Sequence, residues 1–195
     1  MADLTQEILS RLDAASIAGM AAELGIAPTE AESAIRQAVP MVVGGMARNA
    51  ASEQGASALH RAVGDHAGLD LGAVIGSVLG GAGGGGSILG HVFGSRREQA
   101  AEGLGQSSGI GTRNATQLLA MLAPVIMAVL GNRARDQGLG SDGLGSMLGN
   151  ELKNLGQGAQ GGLLASILDR DGDGEVGLGD LLKAGTDLLG SRTRV

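Results

Sequence analysis

Apolar positions recur at helical spacing along the N-terminal half of the chain. Residues 4–23 carry apolar side chains three to five positions apart, which predicts an amphipathic helix that ends before Gly25. A second apolar series, over residues 31–46, predicts a helix that is bent or divided at Pro40, because proline has no amide donor. A third helix is predicted over residues 55–66.

The C-terminal half follows a run of glycines. Residues 80–86 contain six glycines and one alanine, and a helix there would be costly because glycine loses more conformational entropy on folding than any other residue. We therefore expect a Gly-rich linker at residues 80–87, with a new helical unit beginning at Ile88. Residues 114–130 predict a strongly apolar helix that is buried in the core.

The two halves share a pattern at a fixed offset. Gly25-Ile26 followed by Pro40 matches Gly109-Ile110 followed by Pro124, 84 positions later in each case. Apolar positions stay in register at this offset, so we interpret the pattern as a duplicated unit of helix, glycine turn and proline-bent helix. The predicted organisation is a first helical unit at 1–79, the linker at 80–87, a second, related unit at 88–160 and a separate segment at 161–195.

Composition favours helices throughout. The 195 residues include 37 glycines but a single aromatic residue, Phe93, so the core must be built from Leu, Ile, Val, Met and Ala. Small side chains suit close helix–helix approach, and the aromatic residues that strands prefer are scarce. We therefore expect an all-α protein.

Net charge and cysteine content limit the classes of partner and of chemical site that the chain can have. A net charge of −6 disfavours general affinity for nucleic acid, which needs clustered Lys and Arg, and the absence of cysteine excludes disulfides and thiolate sites. The N-terminus has acidic residues where a secretory signal would be apolar, so we expect a cytoplasmic protein. Residues 71–95 are uncharged and long enough to cross a bilayer, but they are rich in glycine and lack Trp and Tyr anchors, so no membrane span is expected.

The most specific motif is an acidic loop at residues 169–180, which matches the D-x-[DN]-x-[DN]-G pattern of an EF-hand calcium loop. Alternating carboxylates converge on a hard dication, while Gly174 supplies the sharp turn. The predicted metal ligands are Asp169, Asp171, Asp173, Glu175 through its backbone carbonyl, and Asp180. Asp180 replaces the longer glutamate that usually closes such loops, which predicts a weaker site for Ca²⁺ or one with more Mg²⁺ character. The loop is similar to a dockerin-type half-site.

Only one such loop is present, which predicts a calcium staple that stabilises the C-terminal helices, unlike the paired loops of calcium sensors. The alternative is an acidic helix-capping turn that binds nothing.

The three histidines, His60, His66 and His91, are expected to be hydrogen-bonded structural residues, because the first two do not share a helical face. The sequence contains no recognised catalytic motif, and we expect that the protein is not an enzyme.

Two glycine corners imitate a helix-turn-helix. The first, at residues 21–35, places Glu30 and Glu32 where DNA phosphates would lie, which argues against DNA binding. The second, around Arg113, suits nucleic acid better. The nucleic-acid alternative therefore depends on whether one basic patch is formed by Arg96, Arg97, Arg113, Arg133 and Arg135.

A family resemblance is carried by Gly25-Ile26 and Pro40 with Asn49-Ala50, the segment 88–94, the helix at 118–130 and the acidic loop. Together these features resemble the bacterial family called domain of unknown function nine-three-seven, to which YidB-like proteins are related. The resemblance implies an all-helical fold, homeodomain-like in the smaller relatives, and no established activity. We predict a non-enzymatic, calcium-binding helical scaffold that binds an unknown protein or a second copy of itself. The alternatives are a nucleic-acid-associated protein and an envelope-associated protein.

Overall fold

Nine α-helices and no β-strand make up the residues that the structure describes. The computed structural model describes residues 4–81 and 84–156. In chain order the helices are α1 (Leu4–Arg11), α2 (Ala14–Leu24), α3 (Pro28–Asn49), α4 (Glu53–Gly64), α5 (Leu71–Leu79), α6 (Gly85–Phe93), α7 (Arg97–Ser108), α8 (Gly111–Asp136) and α9 (Ser141–Gly156). The expected all-α class is confirmed. Residues up to Leu152 form one compact unit, and the packing described below lies within it.

The core is built around the two longest helices, α3 and α8. Helix α8 packs against α2 through α7, and α3 packs against α1, α2, α4, α6, α7 and α8. The largest fully buried side chains are aliphatic or methionine, as the composition predicts, and Phe93 is 9% exposed. Burial of these apolar side chains is the main stabilising term for the unit.

Each central helix contains a buried proline and remains unbroken. Pro40 lies inside α3 and Pro124 inside α8, so neither helix is divided there. Because proline lacks an N–H group, the carbonyl of Ala120 has no helical donor at Pro124. Gly85, the first residue of α6, lies so close to this carbonyl that a Cβ on Gly85 would overlap it.

The helix predicted over residues 4–23 is in fact two helices. Asp13 is the N-cap of α2, and its carboxylate accepts hydrogen bonds from Ser16 N at 2.8 Å and Ser16 Oγ at 2.6 Å. The hydrogen bonds hold the pKa of Asp13 below its usual value, the side-chain bond from Ser16 contributing most. The short polar side chain therefore starts a new helix inside an apolar pattern that looks continuous.

A buried carboxylate joins the first helix to the last. Glu151 in α9 is 5% exposed, and it accepts hydrogen bonds from Leu4 N at 3.3 Å, Thr5 N at 2.9 Å and Thr5 Oγ1 at 2.8 Å. The free N–H groups at the start of α1 are thereby satisfied by an acid from elsewhere in the chain.

The Gly-rich region contains more helix than its composition suggests. Helix α5 occupies residues 71–79, and α6 begins at Gly85, inside the stretch 80–87 that was expected to be a linker. Both helices pack on α8. Apolar burial on one side of each helix thus overrides the poor helix propensity of glycine.

Candidate functional site

Helices α5 and α6 carry the same ten-residue pattern. Residues 71–80 read LGAVIGSVLG and residues 85–94 read GGSILGHVFG, with glycines at matching positions 14 residues apart. The pattern went unnoticed in the sequence because the comparison of halves used a much longer offset. Glycine at every fourth position, twice in 23 residues, is the signal that could have revealed it.

Both helices bury the same side of this pattern and expose the other. Ile75 and Val78 are buried in α5, and the matching Leu89 and Val92 are buried in α6. The exposed residues, which we call the α5–α6 face, are Gly72, Ala73, Gly76, Ser77, Gly86, Ser87, Gly90 and His91. A Cβ built on Gly76, Gly86 or Gly90 would meet no atom within 4 Å.

A groove of about 540 Å³ runs between the two helices. We call it the α5–α6 groove, and it is lined by His66, Leu69, Asp70, Ala73, Val74, Ser77, Val78, Gly84, Ser87, Ile88 and Pro124. Leu69 is 43% exposed and is the one large hydrophobic side chain that is exposed in the described part of the chain. The groove is within the size range of ligand-binding clefts and mostly apolar.

Asparagine side chains from the two central helices hold the ends of this region. Asn132 in α8 accepts from Gly68 N at 2.7 Å and donates to the carbonyl of Leu69 at 3.3 Å. Asn49 in α3 donates to the carbonyl of His91, near the end of α6, at 2.8 Å. The exposed Leu69 is therefore carried on a backbone segment that is fixed in place.

The α5–α6 face has no formal charge. Residues 71–95 contain no Asp, Glu, Lys or Arg, although the whole chain has a net charge of −6. Asp70 lies at the rim, where its carboxylate accepts a hydrogen bond from Ala73 N at 2.9 Å and caps α5. A partner that contacts only the α5–α6 face would cover no charged side chain, whereas one that fills the groove would also cover the Asp70 carboxylate.

The three histidines are each hydrogen-bonded to a backbone carbonyl. His60 Nε2 lies 3.1 Å from the oxygen of Leu139. His66 Nδ1, just after α4, bonds to the carbonyl of Ala62 in that helix, and His91 Nδ1 bonds to the carbonyl of Ser87 in its own helix, both at 2.8 Å. Within the described residues, no group of three or more His, Cys, Asp or Glu side chains could hold a metal ion.

Three of the five arginines considered for a basic patch lie on α8. Arg113 is near the start of α8 and Arg133 is 20 residues further on, or about 30 Å along the helix. Arg133 Nη1 pairs with Glu7 Oε2 at 2.8 Å, and Arg135 lies 3.2 Å from the carboxylate of Asp136. Arg113 and Arg133 are therefore not neighbours on α8, and the nucleic-acid alternative stays a prediction.

Two further features considered in the sequence are the calcium loop and a possible membrane span. The predicted calcium ligands, Asp169, Asp171, Asp173, Glu175 and Asp180, lie outside the described residues, so the metal site stays a prediction. Among the described helices, α8 alone is long and apolar enough to cross a membrane, but 78% of its apolar window is buried inside the protein. That burial is typical of a core helix.

Comparison with known proteins gives one match. A family model described as "Bacterial protein of unknown function (DUF937)" matches residues 6–133, well over half of the chain. No curated protein and no solved structure matches. The matched residues include all of the α5–α6 groove.

Proposed function

The chain belongs to the bacterial DUF937 family of unknown function, and because that membership assigns no activity, we propose a function from its residues. In this proposal the protein is a non-enzymatic, calcium-binding helical scaffold of the cytoplasm that acts by binding other protein chains. The acidic loop at 169–180 lies beyond the matched residues, so the calcium part rests on the sequence motif.

The scaffold part is carried by one observation: the backbone of the exposed Leu69 is held by Asn132 beside a mostly apolar groove whose one carboxylate is that of Asp70. A single exposed leucine is ordinary on a protein surface. A leucine on a fixed segment beside a groove is different, because its ordering is already established before a partner arrives. This arrangement favours protein binding, and the absence of a catalytic motif in the sequence favours a non-enzymatic role.

We further propose that the scaffold arose by duplication of one helical unit. Helix α2 ends at Gly25 with φ 65°, and α7 ends at Gly109 with φ 78°. Each glycine corner precedes a long helix with a buried proline, α3 or α8. These similarities support two related halves, with boundaries near 79 and 88, that pack into one body.

The calcium part is tested by titration. Ca²⁺ and then Mg²⁺ are titrated into chelator-treated protein, with binding measured by calorimetry and the melting temperature followed in parallel. We expect saturable binding at one site and a rise in melting temperature, because an ion that binds only the folded state stabilises it. The double variant Asp171→Ala, Asp173→Ala should abolish both effects.

The matched control is Asp65→Ala, which removes an exposed carboxylate at the end of α4. It should bind Ca²⁺ as the unmodified protein does. Absence of binding at millimolar Ca²⁺, or equal binding by the double variant, would refute the calcium proposal and leave a helix-capping turn at 169–180.

A further inference from the structure

We propose that the α5–α6 groove binds a small amphiphilic amine, with the ammonium group at Asp70 and the apolar chain along the groove. The inference goes beyond the proposed scaffold function, because it assigns a class of small-molecule ligand, and it does not depend on the calcium loop. A bound amine would occupy the groove beside Leu69, so it would compete with a protein partner for this surface.

The groove has the size and the composition of a small-molecule site. Its volume is about 540 Å³, and ligand sites are commonly clefts of about 300–1,000 Å³ that combine apolar walls with a few polar groups. One wall consists of Ala73, Val74, Ser77 and Val78, whose spacing of three and four residues places them on one face of α5. Pro124 of α8 adds to the apolar lining.

Two side chains in the lining offer hydrogen-bond acceptors. Asp70 Oδ1 accepts from Ala73 N at 2.9 Å, and within the described residues Asp70 Oδ2 accepts no hydrogen bond. His66 Nδ1 lies 2.8 Å from the carbonyl oxygen of Ala62, which can only accept, so in the neutral ring Nε2 is an acceptor. An ammonium group has three donors and no acceptor, and it suits such a pair.

The two acceptors belong to a segment that is already ordered. His66 and Asp70 lie between the end of α4 and the start of α5, and Asn132 holds the backbone between them through Gly68 N and the carbonyl of Leu69. A ligand that binds here does not have to order the segment, which lowers the entropic cost of binding.

Charge favours a cationic head group. Asp70 carries the one carboxylate among the described lining residues. Arg135, whose guanidinium lies beside Gly68, pairs with Asp136 at 3.2 Å and forms no ion pair with Asp70. The chain as a whole has a net charge of −6, which attracts cations from solution. The Asp70 carboxylate is therefore available to a cationic ligand.

An anionic amphiphile is a weaker fit to the same groove. A fatty acid could place its carboxylate at the start of α6, where Gly84 provides no side-chain cap. However, the hydroxyl of Ser87 donates to the carbonyl of Gly84 at 2.8 Å, and the Asp70 carboxylate and the net charge would both repel the anion. The sign of the head group is therefore the property that the experiment must vary.

The length of the groove sets the length of the chain. Asp70 and Val78, both in the lining, are separated by about 12 Å along α5 at about 1.5 Å per residue. An extended chain of about eight carbons, with C–C bonds of about 1.5 Å, covers a similar distance. Since the groove is open to solvent on one side, the chain is only partly buried, and we expect a dissociation constant in the millimolar range.

NMR of the histidine rings tests the site directly, because the chain has three histidines and only His66 lines the groove. n-Octylammonium chloride is titrated into the full chain at pH 8, below the concentration at which it forms micelles. The Hε1 signal of His66, assigned with the variant His66→Gln, should shift and saturate, whereas the signals of His60 and His91 should not move. n-Octanoate should leave all three signals unchanged. A stationary His66 signal with the amine, or an equal response to octanoate, would overturn the proposal.

Two variants separate the charge from the apolar contact. Asp70→Asn keeps an oxygen that can cap α5 but removes the charge, so the affinity for octylammonium should fall about threefold to fivefold. Ala73→Leu fills the groove and should abolish the saturable shift.

The controls are Asp142→Asn, in the first turn of α9, and Ala58→Leu, at an exposed position on α4. Both should bind octylammonium as the unmodified protein does, and circular dichroism checks that all four variants remain helical. Unchanged affinity in Asp70→Asn, or unchanged binding in Ala73→Leu, would contradict the assignment of the ligand to this groove.

A series of chain lengths distinguishes the groove from general adsorption to the protein surface. n-Hexylammonium should bind more weakly than n-octylammonium, and n-decylammonium should gain little, because the added carbons extend beyond the groove. Affinity that continues to rise at the same rate with chain length would overturn the proposal.

Two further arms separate the remaining outcomes. Flotation with vesicles of phosphatidylcholine and phosphatidylethanolamine should leave the protein unbound; flotation that Asp70→Asn abolishes would assign the groove to a lipid head group and overturn the proposal. The double variant Asp171→Ala, Asp173→Ala should bind octylammonium normally. Loss of amine binding with calcium binding preserved would reject only this inference, and the reverse result would reject only the calcium proposal.

Discussion

Glycines occupy two contrasting regions of this protein, the helix contacts within the core and the outer face of α5 and α6. In the core, Gly85 lies against the Ala120 carbonyl and Gly105 lies against the backbone of α8. On the outer face, a Cβ on Gly76 or Gly90 would meet no atom of the described residues within 4 Å. The same residue type thus serves two different environments.

The two regions differ in what compensates for the conformational entropy that a helical glycine loses on folding. Each glycine in a helix interior is about 1 kcal/mol less favourable than alanine. In the core, close backbone contact accounts for the choice, because any side chain would collide. On the outer face, no atom of the described residues lies where the side chains of Gly76 and Gly90 would be, so no packing contact in this part of the chain offsets the cost.

Gly85→Ala gives the largest expected effect and tests the core side of the comparison. The new Cβ must displace the Ala120 carbonyl or move α6, so we expect a loss of about 3 kcal/mol in the free energy of unfolding. Chemical denaturation measures the loss. Gly86→Ala is the matched control, since a Cβ on the adjacent residue meets nothing within 4 Å. Equal destabilisation by both changes would remove the distinction between the two regions.

Gly76→Ala should have a smaller effect of the opposite sign. Alanine favours the helix and has open space at this position, so we expect a gain of about 0.5–1 kcal/mol in the free energy of unfolding. Thermal melting measures the gain, and a loss of stability in Gly76→Ala would show that another part of the chain packs against this position.

Lowering the pH tests the Asp13 cap and has the smallest expected effect. It should not alter the difference between the core glycines and those of the outer face. The pKa of Asp13 is lowered in the folded state, chiefly by the Ser16 hydroxyl, so its contribution to stability is present above the unfolded pKa and lost as pH falls through the folded pKa. The melting temperature should therefore fall by less in Asp13→Asn than in the unmodified protein as pH drops below about 4. Identical pH profiles would show that this cap does not contribute.

Local sequence signals predicted the parts of the fold that they control. The helix around Pro40, the glycine corner at Gly109 and the buried helix containing Pro124 are present near the expected residues. These features depend on apolar periodicity and backbone geometry within a few positions. The division at Asp13 was also readable as an N-cap, but the continuous apolar pattern concealed it.

Helices α5 and α6 could not be predicted from local propensity, because their glycines disfavour a helix and only packing on α8 compensates. The candidate groove was missed for a similar reason. Asn132 and Leu69 are 63 positions apart, and nothing in either local sequence indicates that they meet. Long-range pairing of this kind is decided by the assembled core.

The tie between Glu151 and the first turn of α1 has a consequence for how the chain is made. The groups that it joins are 146 residues apart, so during synthesis the start of α1 lacks its acceptor until Glu151 has left the ribosome. At about 5–20 residues per second, that interval is roughly 7–30 s. Helix α1 therefore gains this contact only after most of the described helices have been translated, and ribosome-bound chains that stop short of Glu151 should be open to proteolysis within α1.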